Sequence, residues 1–109
     1  MPVTAKRFYH AQPGTSNGTL FTAAAGKTTV VKEIVISNTT GTAATVTLNV
    51  VPVAGSATAA NRIVAAKSIP ANDLVVIALS LVMNENETLQ GLQGTSGAIT
   101  VTVSGVEQS

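Results

Sequence analysis

Valine and threonine dominate this chain, and in several stretches they alternate. In Ala43-Ala-Thr-Val-Thr-Leu-Asn-Val50, Val46, Leu48 and Val50 fall on one side and Thr45, Thr47 and Asn49 on the other. A period of two commits the segment to a strand with one dry and one wet face. Ala98 to Ser104 repeats the device, with Ile99, Val101 and Val103 opposed to Thr100, Thr102 and Ser104. Thr29 to Ser37 is denser: Val30, Ile34 and Ile36 lie on one side and Val31 and Val35 on the other, as expected of a central strand covered on both faces. β-Branched side chains sit well on a pleated surface and lose rotamer freedom in a helix, so composition and pattern agree.

Turn residues punctuate the chain, mostly at spacings of about ten to fifteen positions: Pro13-Gly14, Asn17-Gly18, Ala25-Gly26, Asn38 to Gly41, Gly55-Ser56, Pro70 to Asp73, Asn84 to Asn86 and Gly94 to Gly97. With weaker candidates at Lys6 to Ala11, Leu20 to Ala23, Arg62 to Ile69 and Glu87 to Leu92, the expectation is about eight short strands. The fold class is all-β, a single antiparallel β-sandwich of jelly-roll or immunoglobulin-like type. Gly55 to Ala66 is alanine-rich and reads as a loop with one helical turn leading into an edge strand. The expected division is residues 1–14 as an N-terminal arm or first strand and residues 15–109 as the sandwich.

At 109 residues the chain is the size of one domain, and its 45% hydrophobic residues suffice for one core. With no cysteine, disulfides and thiolate chemistry are excluded. Residues 1–14 contain Lys6, Arg7 and His10 and lack the apolar run of about 7–15 residues that a signal peptide needs, so secretory export is not expected. Leu74 to Met83, the longest uncharged apolar run, is half of the roughly 20 residues that cross a bilayer, so no membrane is expected as a partner. A net charge of +1 offers no footprint for nucleic acid. Charged residues make up only 10% of the chain, against about 25% in an average soluble domain. Such a surface suits a subunit whose faces are covered in an assembly.

No enzymatic constellation is apparent. His10 is the single histidine, with no nucleophile-elbow pattern to complete a triad. Asn84-Glu-Asn-Glu87 offers oxygen ligands but lacks the spacing of a calcium loop and reads as a solvated hairpin tip. The glycines at 91, 94 and 97 precede a strand, whereas a phosphate-binding fingerprint opens a helix. The expectation is no enzyme, no catalytic or metal residues and no cofactor.

Two segments stand out as candidate interfaces. In Leu74 to Met83, Val75, Ile77, Leu79 and Leu81 form one face while Leu74, Val76, Ala78 and Val82 form a second apolar face that a two-sheet sandwich does not bury; a neighbouring subunit is the expected cover. In the N-terminal segment, Lys6, Arg7, Phe8, Tyr9 and His10 gather two of the three aromatics with basic groups, the mixture contact surfaces enrich. That segment is expected to attach the sandwich to a larger assembly, or to be its first strand.

The run Lys32-Glu-Ile-Val-Ile-Ser-Asn-Thr-Thr-Gly41, then Ala44-Thr-Val-Thr-Leu48, Val51-Pro-Val-Ala-Gly55, Ser68-Ile-Pro-Ala-Asn72, Glu87-Thr-Leu89 and Ala98-Ile-Thr-Val-Thr-Val-Ser-Gly-Val106 resembles small β-sandwich structural proteins of tailed bacteriophages. The resemblance covers the chain from about Thr19 onward. It implies a capsid decoration or cement protein, or a related head-fibre or neck subunit: a homo-oligomer, trimer or dimer, bound to the major capsid protein or another virion protein, and located in a virion assembled in the bacterial cytoplasm. A competing expectation is a fibre, neck or tail-associated subunit, or a host-surface module binding glycan or receptor through Gly55 to Asn61 and Asn84 to Glu87.

Overall fold

The computed structural model describes residues 3–108. Eight strands follow in order: β1 (Val3–Ala11), β2 (Gly18–Thr22), β3 (Thr28–Asn38), β4 (Ala44–Val51), β5 (Arg62–Ile69), β6 (Leu74–Met83), β7 (Thr88–Gln93) and β8 (Ile99–Gln108). They form two four-stranded antiparallel sheets, β1-β8-β3-β6 and β2-β7-β4-β5. Strand 1 pairs with 8, 2 with 7, 3 with 6 and 4 with 5, so the chain runs out and back as one long ribbon. The β8–β3 and β7–β4 pairings then roll that ribbon into two sheets. This is the jelly-roll form of the sandwich. Alternating strands feed opposite sheets, and only the β4–β5 connection stays within one.

The core lies between the sheets. Val31, Ile34, Ile36, Val101 and Val103 of the β1 sheet meet Val46, Leu48, Ile69 and Leu89 of the β2 sheet, and all are inaccessible to water. Each such side chain contributes about 2 kcal/mol of transfer free energy. The alternations of β4 and β8 run as their sequences predict. Between them, the alanine-rich stretch after β4 is a loop with one three-residue 3-10 turn, Ala59–Asn61, leading into edge strand β5.

β3 departs from its expected pattern. Val31 joins Ile34 and Ile36 on the core side, while Val30 and Val35 face outward and are half-buried. The cause is an extra residue at Lys32, which turns both Lys32 and Glu33 to solvent and resets the alternation. Over that span β8 advances from Gly105 to Val103, β3 from Val31 to Ile34 and β6 from Leu81 to Ile77, each strand longer by one residue than the last. Gly105 makes room for the bend: a Cβ there would collide with the Val30 carbonyl oxygen.

Two buried amides fix the loops. Asn38 donates from Nδ2 to the carbonyls of Thr42 (2.8 Å) and Ile69 (3.1 Å), and its Oδ1 accepts from the Thr40 backbone N–H (2.9 Å) and hydroxyl (2.7 Å). Gln93 donates to the Pro13 carbonyl and accepts from the N–H groups of Ala98 (3.2 Å) and Ile99 (2.7 Å).

Candidate interface on the outer face of the β1 sheet

The predicted interface residues fall on the two outer strands of a single sheet, β1 and β6, with β8 and β3 between them. Cross-strand register aligns their outward side chains into rows. Ala5, Val106, Val30 and Val82 make one row, and His10, Thr102, Val35 and Val76 make another. Arg7, Ser104, Glu33 and Ala78 run between them, and Ser37 and Leu74 extend the face beyond. On β6 the outward residues Leu74, Val76 and Val82 are 53%, 51% and 54% exposed, and Ala78 is exposed as well. Val3, at the far end of β1, is 58% exposed on the same side.

A polar band divides the apolar rows. There Lys32 donates from Nζ to the Ser80 hydroxyl at 2.8 Å, and at the β1 end of the second row the Nδ1 of His10 lies 2.7 Å from the Thr102 hydroxyl. Ala5, Arg7, Lys32, Glu33, Ser104 and Val106 border a shallow depression at its centre. The Lys32 bulge brings its two charges there, so one irregularity in β3 both bends the sheet and charges the middle of its outer face.

Phe8 and Tyr9 turn the other way. A second bulge, between Arg7 and Tyr9, lets two consecutive aromatics both face the core. Phe8 stacks on Phe21 of β2 at 5.2 Å and 14°, linking the sheets, and partial burial raises the Tyr9 phenol above its usual pKa. Lys6 reaches sideways to Glu107. Arg7 and His10 therefore belong to the outer face and Phe8 and Tyr9 to the core side, while Lys6 borders the central depression and turns its Nζ to Glu107. Sequence spacing did not reveal this, because a one-residue bulge leaves no compositional mark. Val30, which spacing places with Ile34 and Ile36, is turned to this face by the Lys32 bulge, and Val35 and Val106 join it there.

Glu107 is nearly buried, between Lys27 (3.4 Å) and Lys6 (3.5 Å). Its burial acts to raise the carboxyl pKa, but the hydrogen bond and charge of Lys27, with those of Lys6, outweigh it and hold the group below the usual carboxylate range. At the 84–87 tip the two carboxylates are occupied by backbone: Glu85 accepts from the Gly26 N–H (2.5 Å) and Glu87 from the Asn84 N–H (2.8 Å). Among the described residues, no group of three His, Cys, Asp or Glu is placed to hold a metal ion, and no helix is long and apolar enough to cross a membrane.

No family model matches the chain, and no curated protein matches it in sequence. Solved structures share its fold. A structure of infectious bursal disease virus, Gx strain, matches 98% of this chain and 32% of its own at 16% identity, with a TM-score of 0.52. The crystal structure of the T13 particle of the same virus matches 97% of this chain and 30% of its own, at 16% identity and the same TM-score of 0.52. The chain thus spans about a third of the length of the chains it matches. The likeness extends over the whole jelly roll and is one of fold.

Proposed function

We propose that this domain is a structural subunit of a virion, a capsid decoration or cement protein that associates with copies of itself and seats the outer face of its β1 sheet on the capsid surface. One observation carries the reading: that face presents exposed valine, alanine and leucine in cross-strand rows, where a free-standing sandwich needs only polar cover. The jelly roll shared with chains of viral particles, the scarcity of charge and the phage-like segments all support it. The central polar band gives such a contact its register, since Arg7, Lys32 and Glu33 have to meet matching groups while the valines on either side lose water.

The test is binding of the purified protein to capsids that lack it. Val35→Lys at the centre of the face leaves the free domain folded, because the lysine stem lies along its neighbours while the charge reaches water. Under a capsid contact the same charge is buried, so binding should fall by at least a hundredfold with the melting curve nearly unchanged. Wild-type affinity for the shell in that variant, or no affinity in the native protein, overturns the seating. Binding to tails or fibres instead would make the domain a fibre or neck subunit.

A further inference from the structure

A jelly roll has four sheet edges, and an exposed edge is an invitation to pair that proteins blunt with charge, bulges or brevity. Three of the four edges here are blunted. β1 carries Lys6, Arg7 and His10 and is bulged at Phe8. β2 has five residues and is bulged at Leu20. β5 carries Arg62 and Lys67, loses register with β4 twice, and has Ala66 at a φ of 44°. β6 differs from all three. Its ten residues, Leu74–Met83, include no charge and no proline, none has a positive φ, and inward and outward positions alternate without a break through Val82. It carries one extra residue against β3, between Ala78 and Leu81, and the alternation of its side chains runs through it intact. Its inward residues Val75, Ile77, Leu79 and Leu81 are also only half-buried, so the strand is open at its edge as well as on its face.

We propose that this edge pairs with β6 of a second copy, antiparallel across a two-fold axis, joining the two β1 sheets into one sheet of eight strands. The proposal rests on the self-association in the reading above and names its geometry. The occupant is argued from self-complementarity. Antiparallel pairing of identical strands sets residue i opposite residue j, and outward side chains must meet outward ones for the sheet to continue, so i + j is even. With Ala78 on the axis, Val76 meets Ser80 and Leu74 meets Val82 on the outside, while Ile77 meets Leu79 and Val75 meets Leu81 on the core side. With Leu79 on the axis, Val76 meets Val82 and Ala78 meets Ser80. Both registers bring together only apolar or hydroxyl side chains, and no like charges meet. The same operation on β1 or β5 sets their basic residues close to one another. A two-fold pairing of this kind closes at the dimer and leaves only the charged, bulged β1 edges at the two ends of the joined sheet. It also makes the outer faces of the two β1 sheets continuous, doubling the apolar surface offered to one partner.

The experiment uses the isolated full chain, with no capsid present. Sedimentation at micromolar concentration should show a dimer, and the β6 amides should exchange slowly in the dimer and faster on dilution. The chain has no native cysteine, so single cysteines report cleanly. Val76→Cys, Ala78→Cys and Ser80→Cys are outward positions at or beside the axis and should be joined by a short bis-maleimide, whereas His10→Cys on the opposite edge should not. Ala78→Lys sets like charges near the axis at an exposed position and should weaken the dimer roughly tenfold with the monomer fold intact. A monomeric wild type overturns the proposal, as does a dimer cross-linked through His10→Cys or one whose β6 amides exchange freely. Because Val35 lies on β3, one strand inboard of the pairing edge, and meets no residue of the second copy in either register, a dimeric Val35→Lys that no longer binds capsid separates failure of the seating from failure of the pairing.

Discussion

The two outer faces of this sandwich are made by strands of the same kind, yet they are finished differently. On the β2 sheet the outward positions are Thr19 and Thr22 on β2, Thr88 and Gln90 on β7, Thr45, Thr47 and Asn49 on β4, and Ser68 on β5. Of its apolar residues outside the core, Leu92 is shielded in part and Val51 almost completely, and Ile63 at the start of edge strand β5 is 40% exposed. Asn49 is capped by the loop above it, donating to the Thr58 carbonyl and the Asn61 side chain at 2.8 Å each. On the β1 sheet the equivalent positions include Val30, Val35, Val76, Val82 and Val106, beside Ser37, Thr102 and Ser104. Valine and threonine are nearly isosteric and suit a strand about equally well, so strand propensity cannot account for the choice. What separates them is the hydroxyl: on a face that stays wet threonine costs nothing, and on a face that becomes dry valine avoids burying an unpaired donor. The difference teaches where the proposed contact has its physical basis: the β2 sheet carries the hydroxyls a wet face tolerates, and the β1 sheet carries the valines a dry contact needs.

The most severe way to break the comparison is to remove one strand of the valine-faced sheet. Deleting residues 1–11 takes β1 from β8, uncovers the flank of Val101 and Val103 and leaves Phe21 without its stacking partner. The cooperative melt should be lost or lowered by about 15 °C or more. A truncated chain that melts as the full one does would show that β1 contributes only to attachment. The next largest effect is on assembly. Val76→Asp places a carboxylate on the apolar face and should cost about 4 kcal/mol of association, while Thr22→Asp on the opposite face should cost almost none. Sedimentation and shell binding of the pair decide whether the faces differ in function as they do in composition; equal losses would erase the distinction.

Much of this was legible before the fold was known, and what was not has a common cause. Strict alternation marks β4 and β8, and the uncharged run 74–83 announces a strand with two apolar faces. The pairing of β1 with β8 joins residues about a hundred positions apart, which no local pattern encodes. The bulges at Phe8 and Lys32 move residues between core and surface by inserting one position, so Phe8 and Tyr9 were expected at a contact and lie on the core, while Val30 exchanged sides with Val31 and Val35 stayed opposite Ile34 and Ile36 as its spacing predicts. Asn38 and Gln93 read as ordinary polar residues until their four and three hydrogen-bond partners, respectively, are seen.

A smaller and more local effect tests how the polar band is built. Gly105 lies opposite the Lys32 bulge, and its missing side chain allows β3 to bend there. Gly105→Ala drives a methyl group into the Val30 carbonyl, which is backbone and cannot step aside, so the cost should be about 3 kcal/mol of stability. If the variant is accommodated by straightening β3, Lys32 or Glu33 must turn inward, and the outer face loses the charges that set its register. A fully stable Gly105→Ala protein with unchanged shell binding would show that the bulge has no bearing on the contact.

The smallest expected effect lies at the end of the β1 sheet, where Glu107 is held between Lys27 and Lys6. Its folded-state pKa is lowered from the usual 4.5, because the two lysines outweigh the burial that would raise it. The unfolded chain therefore takes up a proton at a higher pH than the folded one does. The stability this provides is fully present above about pH 4.5, declines as the pH falls from there through the lower folded-state value, and is absent below both. Glu107→Gln should consequently melt lower than wild type at neutral pH, and the gap should narrow between pH 5 and the acid limit. Both lysines are about half exposed, so the gap should also shrink in molar salt, which distinguishes a charge effect from a packing one. Since Glu107 points toward the core side and away from the valine rows, shell binding and dimerisation should be untouched. A Glu107→Gln variant that melts normally but fails to assemble would place the carboxylate in the contact and move the boundary of the interface to the end of β8.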